Sequence, residues 1–152
     1  MEFMSQVDEF EEFVNKFSSQ MQDILKKDLK PSSPTSCANV IKKAEDEKLK
    51  GNDAFKSGEY SKAIGLYNTA IKILTADSIP IDPVLLTNRA LAFLKCNEFK
   101  KALDDCNAAN KLDPKNIKAI WRRISAFRGL KEYQRALEDL ARLKRDLGMF
   151  LV

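Results

Sequence analysis

The chain has 152 residues, 44% of them hydrophobic and 32% charged, with a formal net charge of +4, three cysteines and no histidine. This is the composition of one globular domain with a short appendage, and no apolar run approaches the roughly 20 residues that a membrane-spanning helix needs. Without histidine the commonest general base is missing, and Cys37, Cys96 and Cys106 lack metal-ligand spacing, so the expectation is a chain that is not an enzyme and uses neither metal nor cofactor.

Met1-Glu2-Phe3 ahead of Met4 reads as a remnant of cloning. From Ser5 to Lys30, Val7, Phe10, Val14, Phe17, Met21 and Ile24 recur at spacings of three and four, which draws an apolar stripe along one helix face. Residues 1–30 are therefore expected to form an amphipathic helix that packs on the rest of the chain, on a second copy, or on a separate partner. Its acidic run Asp8-Glu9-Phe10-Glu11-Glu12 is either a solvated helix start or a mimic of an acidic ligand. The absence of basic residues at the outset argues against a secretory signal and for a cytoplasmic protein. Pro31 to Ser36 breaks the pattern and reads as a linker. Residues 1–30 carry 4 basic and 7 acidic groups, against 22 and 15 in residues 31–152. The main domain is thus modestly basic, which suits an acidic peptide. Nucleic-acid binding is not expected, because that calls for denser Lys/Arg clusters with aromatic stacking platforms.

The remainder, residues 37–152, repeats itself. Gly58-Glu59-Tyr60-Ser61-Lys62-Ala63, Asn97-Glu98-Phe99-Lys100-Lys101-Ala102 and Lys131-Glu132-Tyr133-Gln134-Arg135-Ala136 share an acid, an aromatic, two polar residues and an alanine. Their alanines stand 39 and then 34 residues apart. Units at residues 44–77, 83–116 and 117–150 follow, with Ser78 to Asp82 inserted after the first, and each is expected to form two antiparallel helices. Gly58 and Asn97 suit a left-handed turn residue, whereas Lys131 in the same place points to a different third turn. Small residues, Gly51 and Ala90 in first helices and Ala63, Ala102 and Ala136 in second helices, let backbones approach, while Tyr67, Ala70, Phe93, Ala109, Phe127 and Leu140 fill the core. Trp121 reads first as a core or groove-wall residue, with a stacking or cation-π role as the other reading. Only Gly148 to Val152 follow the last helix, so an array that needs a polar capping element would take it from further chain, from the N-terminal helix or from a second copy, and self-association is one expectation.

Helix pairs at this period resemble tetratricopeptide repeat (TPR) domains. Lys48-Leu49-Lys50-Gly51-Asn52, Thr87-Asn88-Arg89-Ala90 and Lys118-Ala119-Ile120-Trp121-Arg122 resemble in particular the TPR domains of co-chaperones for heat-shock proteins 90 and 70. The resemblance implies an all-α fold of three helix pairs in a right-handed superhelical array with an extra N-terminal helix. It also implies a carboxylate clamp made of Lys48, Asn52, Asn88, Lys118 and Arg122, which would bind the chaperone's C-terminal Glu-Glu-Val-Asp tail. Lys48, Asn52 and Asn88 would hold the main-chain carboxylate, and Lys118 and Arg122 the aspartate side chain. The residue types agree with that chemistry, because these positions share one face of successive first helices, and three cations and two amides converging there would attract a carboxylate. The insertion at residues 78–82 could shift Lys48 relative to Asn88. The alternatives are an assembly scaffold that binds an internal peptide or folded partner, or the targeting domain of a longer enzyme.

Overall fold

The computed structural model describes residues 16–20 and 34–148, and backbone contacts divide the chain into two units, Met1–Cys37 and Ala38–Val152. Residues 16–20 are helical; the rest of the expected N-terminal helix, and residues 149–152, lie outside the described residues. Six further helices follow: α1 (Pro34–Lys56), α2 (Tyr60–Ala76), α3 (Pro83–Lys95), α4 (Phe99–Leu112), α5 (Ile117–Gly129) and α6 (Tyr133–Asp146). They form the three expected helix pairs, and no strand occurs among the described residues. α1 begins inside the stretch read as a linker, at a proline whose fixed φ suits the first turn of a helix.

One backbone turn closes all three pairs. Gly58, Asn97 and Lys131 have φ of +79°, +59° and +60°. The next residue's N–H then donates to the carbonyl five residues back, Glu59 to Ala54, Glu98 to Phe93 and Glu132 to Phe127, each at 2.9 Å. This pattern satisfies the last carbonyls of a helix around a left-handed residue. The third turn therefore does not differ, contrary to the expectation from Lys131: tertiary packing of α5 on α6 holds a lysine where glycine or asparagine is favoured. The glutamate after each turn opens the second helix. Its carbonyl accepts from Ala63, Ala102 or Ala136 at 2.9, 3.1 and 3.2 Å, and its carboxylate pairs with Lys62, Lys101 or Arg135 three residues on.

Those three alanines pack as expected, with Ala63 and Ala102 at 0% exposure and Ala136 at 9%. Gly51 is required by close approach, since a Cβ there would lie 2.6 Å from Cε1 of Tyr67. The core runs from Ala44, Ala54, Tyr67, Leu74 and Leu85, through Leu86, Ala109 and Ala119, to Phe93, Ala102 and Ala126.

A polar brace recurs between repeats. Arg89 on α3 donates from Nε and Nη2 to both carboxylate oxygens of Asp105 on α4 (2.8 and 2.6 Å), and from Nη1 to Asn68 Oδ1 on α2 (2.8 Å). Arg123 on α5 does the same with Asp139 on α6 (2.6 Å twice) and with Asn107 on α4 (3.2 Å). Each arginine thus ties the second helix of its own repeat to that of the preceding one; the opposite charges make its two bonds to the carboxylate charge-assisted, and the guanidinium fork aligns them in parallel. The asparagine lies 21 residues before Arg89 but 16 before Arg123. The difference is the five-residue insertion, which the connection absorbs without changing how the helices meet. Within that connection Ile79 N–H donates to Leu74 O at 2.9 Å, Ile79 and Ile81 pack on the first repeat's core, and Asp82 caps α3 by accepting from Val84 N–H at 2.9 Å. Asn116 caps α5 in the same way, accepting from Ala119 N–H at 3.0 Å.

Candidate functional site

The first helices α1, α3 and α5 carry the five side chains singled out in the sequence. Two of them are joined directly. Asn88 Nδ2 on α3 donates to Asn52 Oδ1 on α1 at 3.1 Å, and the same oxygen accepts from the Tyr67 hydroxyl at 2.7 Å. With its carbonyl oxygen committed twice, the Asn52 amide must present its NH2 group as a free donor on the other side. Tyr67 is 1% exposed, so this orientation is fixed from inside the core. Sequence reasoning assigned Tyr67 to packing alone and missed the hydroxyl's role. Its signal lay in Gly51, the residue that lets the ring come close to α1.

Arg122 on α5 reaches the same tyrosine electrostatically. Burial lowers the Arg122 guanidinium from its ordinary value, opposed by the neighbouring Cys106 and Tyr67, yet an arginine remains charged near neutrality. Burial likewise raises the Tyr67 hydroxyl, and Arg122 opposes that shift. Nη1 of Arg122 is buried without a hydrogen-bond partner among the described residues, as are both amide atoms of Asn110. A buried guanidinium donor left unpaired costs the desolvation of a charged group, which an arriving acceptor would offset. Cys106, at 0% exposure, has its thiol pushed up to about 12, first by burial and then by Asp105, so it sits beside the site as an inert thiol.

Lys48 and Lys118 stand differently. Lys48 Nζ lies 2.8 Å from Glu45 Oε2 and 3.9 Å from Asp82 Oδ2, with its side chain 15% exposed. One of its two carboxylate neighbours thus belongs to the insertion. Lys118 is exposed, one helical turn before Arg122, and its side chain forms no hydrogen bond or ion pair among the described residues. The structure therefore joins Asn52 and Asn88 directly beside the Tyr67 hydroxyl, with Arg122 coupled electrostatically to that hydroxyl, whereas Lys48 pairs with Glu45 and Lys118 stands exposed. Trp121, read first from the sequence as a core or groove-wall residue, is excluded from the core. It is 57% exposed and lines an open cavity of about 450 Å³ with Ile124, Tyr133, Leu137 and Leu140, because no described helix covers that face of the last pair. The described residues contain no group of His, Cys, Asp and Glu that could hold a metal ion, and no described helix is long and apolar enough to cross a membrane.

No family model matches the chain. Among known proteins it is 36% identical over 100 residues to sperm-associated antigen 1 of Mus musculus, covering 66% of this chain and 10% of that protein. It is 37% identical over 137 residues to RNA polymerase II-associated protein 3 of Xenopus tropicalis, covering 86% of this chain and 20% of that protein. The chain thus spans a fifth or less of these relatives. Among solved structures, the Arabidopsis OM64 TPR domain is 33% identical with a TM-score of 0.65, covering 73% of this chain and 88% of that one. The first TPR of Spaghetti (RPAP3), bound to the HSP90 peptide SRMEEVD, is 37% identical with a TM-score of 0.62, covering 72% and 83%. The second TPR domain of human RPAP3, in complex with the HSP70 peptide SGPTIEEVD, is 31% identical with a TM-score of 0.64, covering 73% and 88%.

Proposed function

Because this chain belongs to the tetratricopeptide repeat family, we propose that it binds the C-terminal Glu-Glu-Val-Asp tail of heat-shock protein 90 or heat-shock protein 70 and acts as a co-chaperone adaptor, not as an enzyme. The observation that carries the reading is the donor set around Tyr67. Two amides from different repeats are hydrogen-bonded to each other, one is oriented by a buried hydroxyl, and Arg122, coupled electrostatically to that hydroxyl, has a buried guanidinium nitrogen with no partner among the described residues. Donors arranged before the ligand arrives lose little freedom on binding, and they match the oxygens of a carboxylate. Solved relatives bound to peptides that end in Glu-Glu-Val-Asp support the same ligand class.

In this reading Asn52 and Asn88 donate to the terminal carboxylate, Lys48 adds its charge from the rim, and Lys118 and Arg122 take the last aspartate side chain. A short peptide held by a few charged contacts should bind with a dissociation constant in the micromolar range, about −8 kcal/mol, and more weakly as salt rises. The test is calorimetric titration with the peptide Met-Glu-Glu-Val-Asp as the free acid and as the C-terminal amide. Binding of the free acid alone, with most of it lost in Lys118→Ala, is the expected result. Equal affinity for acid and amide would refute the clamp and favour a scaffold that recognises an internal segment.

A further inference from the structure

A cavity of about 180 Å³ adjoins the Asn52–Asn88 pair, lined by those two residues with Phe55, Lys56, Tyr67 and Leu91. Lys48, Asn52 and Lys56 follow one another at intervals of four along α1, so Lys56 extends the row of candidate ligand-binding side chains by one turn. Leu91 lies three residues beyond Asn88 and continues the same row on α3. The cavity therefore sets the two amides, the apolar side chains of Phe55 and Leu91, and Lys56 around one space.

Like Lys56, Lys42 and Lys43 nearer the start of α1 have no ion-pair partner among the described residues, but of the α1 cations only Lys56 lines this cavity. Lys48 has Glu45 and Asp82, and Lys50 has Glu47 at 2.7 Å. Lys56 is exposed and has no ion-pair partner among the described residues. Its charge is available to a ligand.

We propose that Lys56 is a specificity-determining residue that pairs with an acidic side chain two places before the ligand's C-terminal residue; this rests on the clamp reading above. The register follows for a ligand that runs extended along α1, from the Asn52 level towards the helix's C-terminal end. Four residues of α-helix rise about 6 Å, and an extended peptide advances about 3.3 Å per residue, so about two ligand residues separate the Asn52 level from the Lys56 level. The residue between them meets Phe55 and Leu91 and should be apolar. In the tail ending Glu-Glu-Val-Asp this assigns valine to the apolar walls and the second glutamate to Lys56. A lysine in the last turn of a helix also complements the helix dipole, but that role is blind to the ligand.

The experiment is a cycle of two proteins and three peptides, read by calorimetry at low salt. The 152-residue chain, as wild type and as Lys56→Gln, is titrated with Met-Glu-Glu-Val-Asp, Met-Glu-Gln-Val-Asp and Met-Gln-Glu-Val-Asp. An ion pair open to solvent should be worth about threefold in affinity. Wild type should lose about threefold when the glutamate two places before the end becomes glutamine, and Lys56→Gln should lose about threefold with the parent peptide but nothing more with that variant. Equal losses of Lys56→Gln across all three peptides, or coupling to the other glutamate instead, would overturn the assignment. The amidated parent peptide separates the two proposals. Equal binding of acid and amide removes the clamp and this inference together, whereas preference for the acid without coupling at Lys56 removes this inference alone.

Discussion

Lys131 occupies a backbone conformation that its side chain opposes, so replacing it should stabilise the fold. Its φ of +60° lies in the left-handed region, where the Cβ of an L-residue crowds the following carbonyl at a cost of about 1–2 kcal/mol. Glycine removes that crowding, but it gives the unfolded chain more freedom, which offsets about 0.5–1 kcal/mol. The side chain is exposed and has no ion-pair partner among the described residues, so its removal should forfeit no contact. Lys131→Gly should therefore raise stability by about 0.5–1 kcal/mol, or about 2–5 °C in Tm for a domain of this size. Urea denaturation should show a higher midpoint with an unchanged slope, because the surface exposed on unfolding stays the same. The mirror experiment is Gly58→Ala. A Cβ there would meet nothing within 4 Å, yet φ is +79°, so any loss comes from the backbone alone, and about 1 kcal/mol is expected. A lower midpoint for Lys131→Gly, or an unchanged one for Gly58→Ala, would refute the reasoning.

The Arg123–Asp139 brace, with side chains 16% and 11% exposed, should behave as a coupled pair. Arg123→Leu and Asp139→Leu should each cost about 2 kcal/mol in urea melts and the double variant clearly less than their sum; strict additivity would show that the two do not interact. Ala102→Leu places three extra carbons at a fully buried site against Phe93 and Ala126 and should cost about 1–3 kcal/mol, so a melt matching wild type would reject this packing. With its thiol pushed up to about 12 and no solvent access, Cys106 should resist iodoacetamide at pH 8 in the folded protein, while partly exposed Cys96 reacts, as mapped by mass spectrometry; rapid native labelling of Cys106 would contradict the burial.

The repeats were legible because a turn chemistry recurs at fixed offsets, and the groove side chains because residue type and helical face can both be counted along a sequence. Whatever depended on contact between distant residues was harder to read. Asp105 follows Arg89 by 16 residues and Asp139 follows Arg123 by 16, a regularity that was open to view. The first repeat hides it, having Lys50 and Leu66 at the matching places. The third turn was misjudged because local preference at Lys131 argued against a conformation that packing imposes. For Trp121 the sequence left core and wall open, and its 57% exposure excludes the core while its place in a cavity lining agrees with a wall.

The missing brace in the first repeat also bears on the site. α3 and α5 are each anchored by an arginine to two second helices, whereas Lys50 pairs only with Glu47 in its own helix. α1 is instead registered through Gly51 against the Tyr67 ring, and the hydroxyl of that ring orients Asn52. The helix that carries Lys48, Asn52 and Lys56 is thus held by the core contacts of Ala44 and Ala54 and by this aromatic contact, and the last also sets the donor geometry. A change at Gly51 or Tyr67 therefore acts on the fold and on the groove together, while a change at Arg89 or Arg123 acts on the fold first.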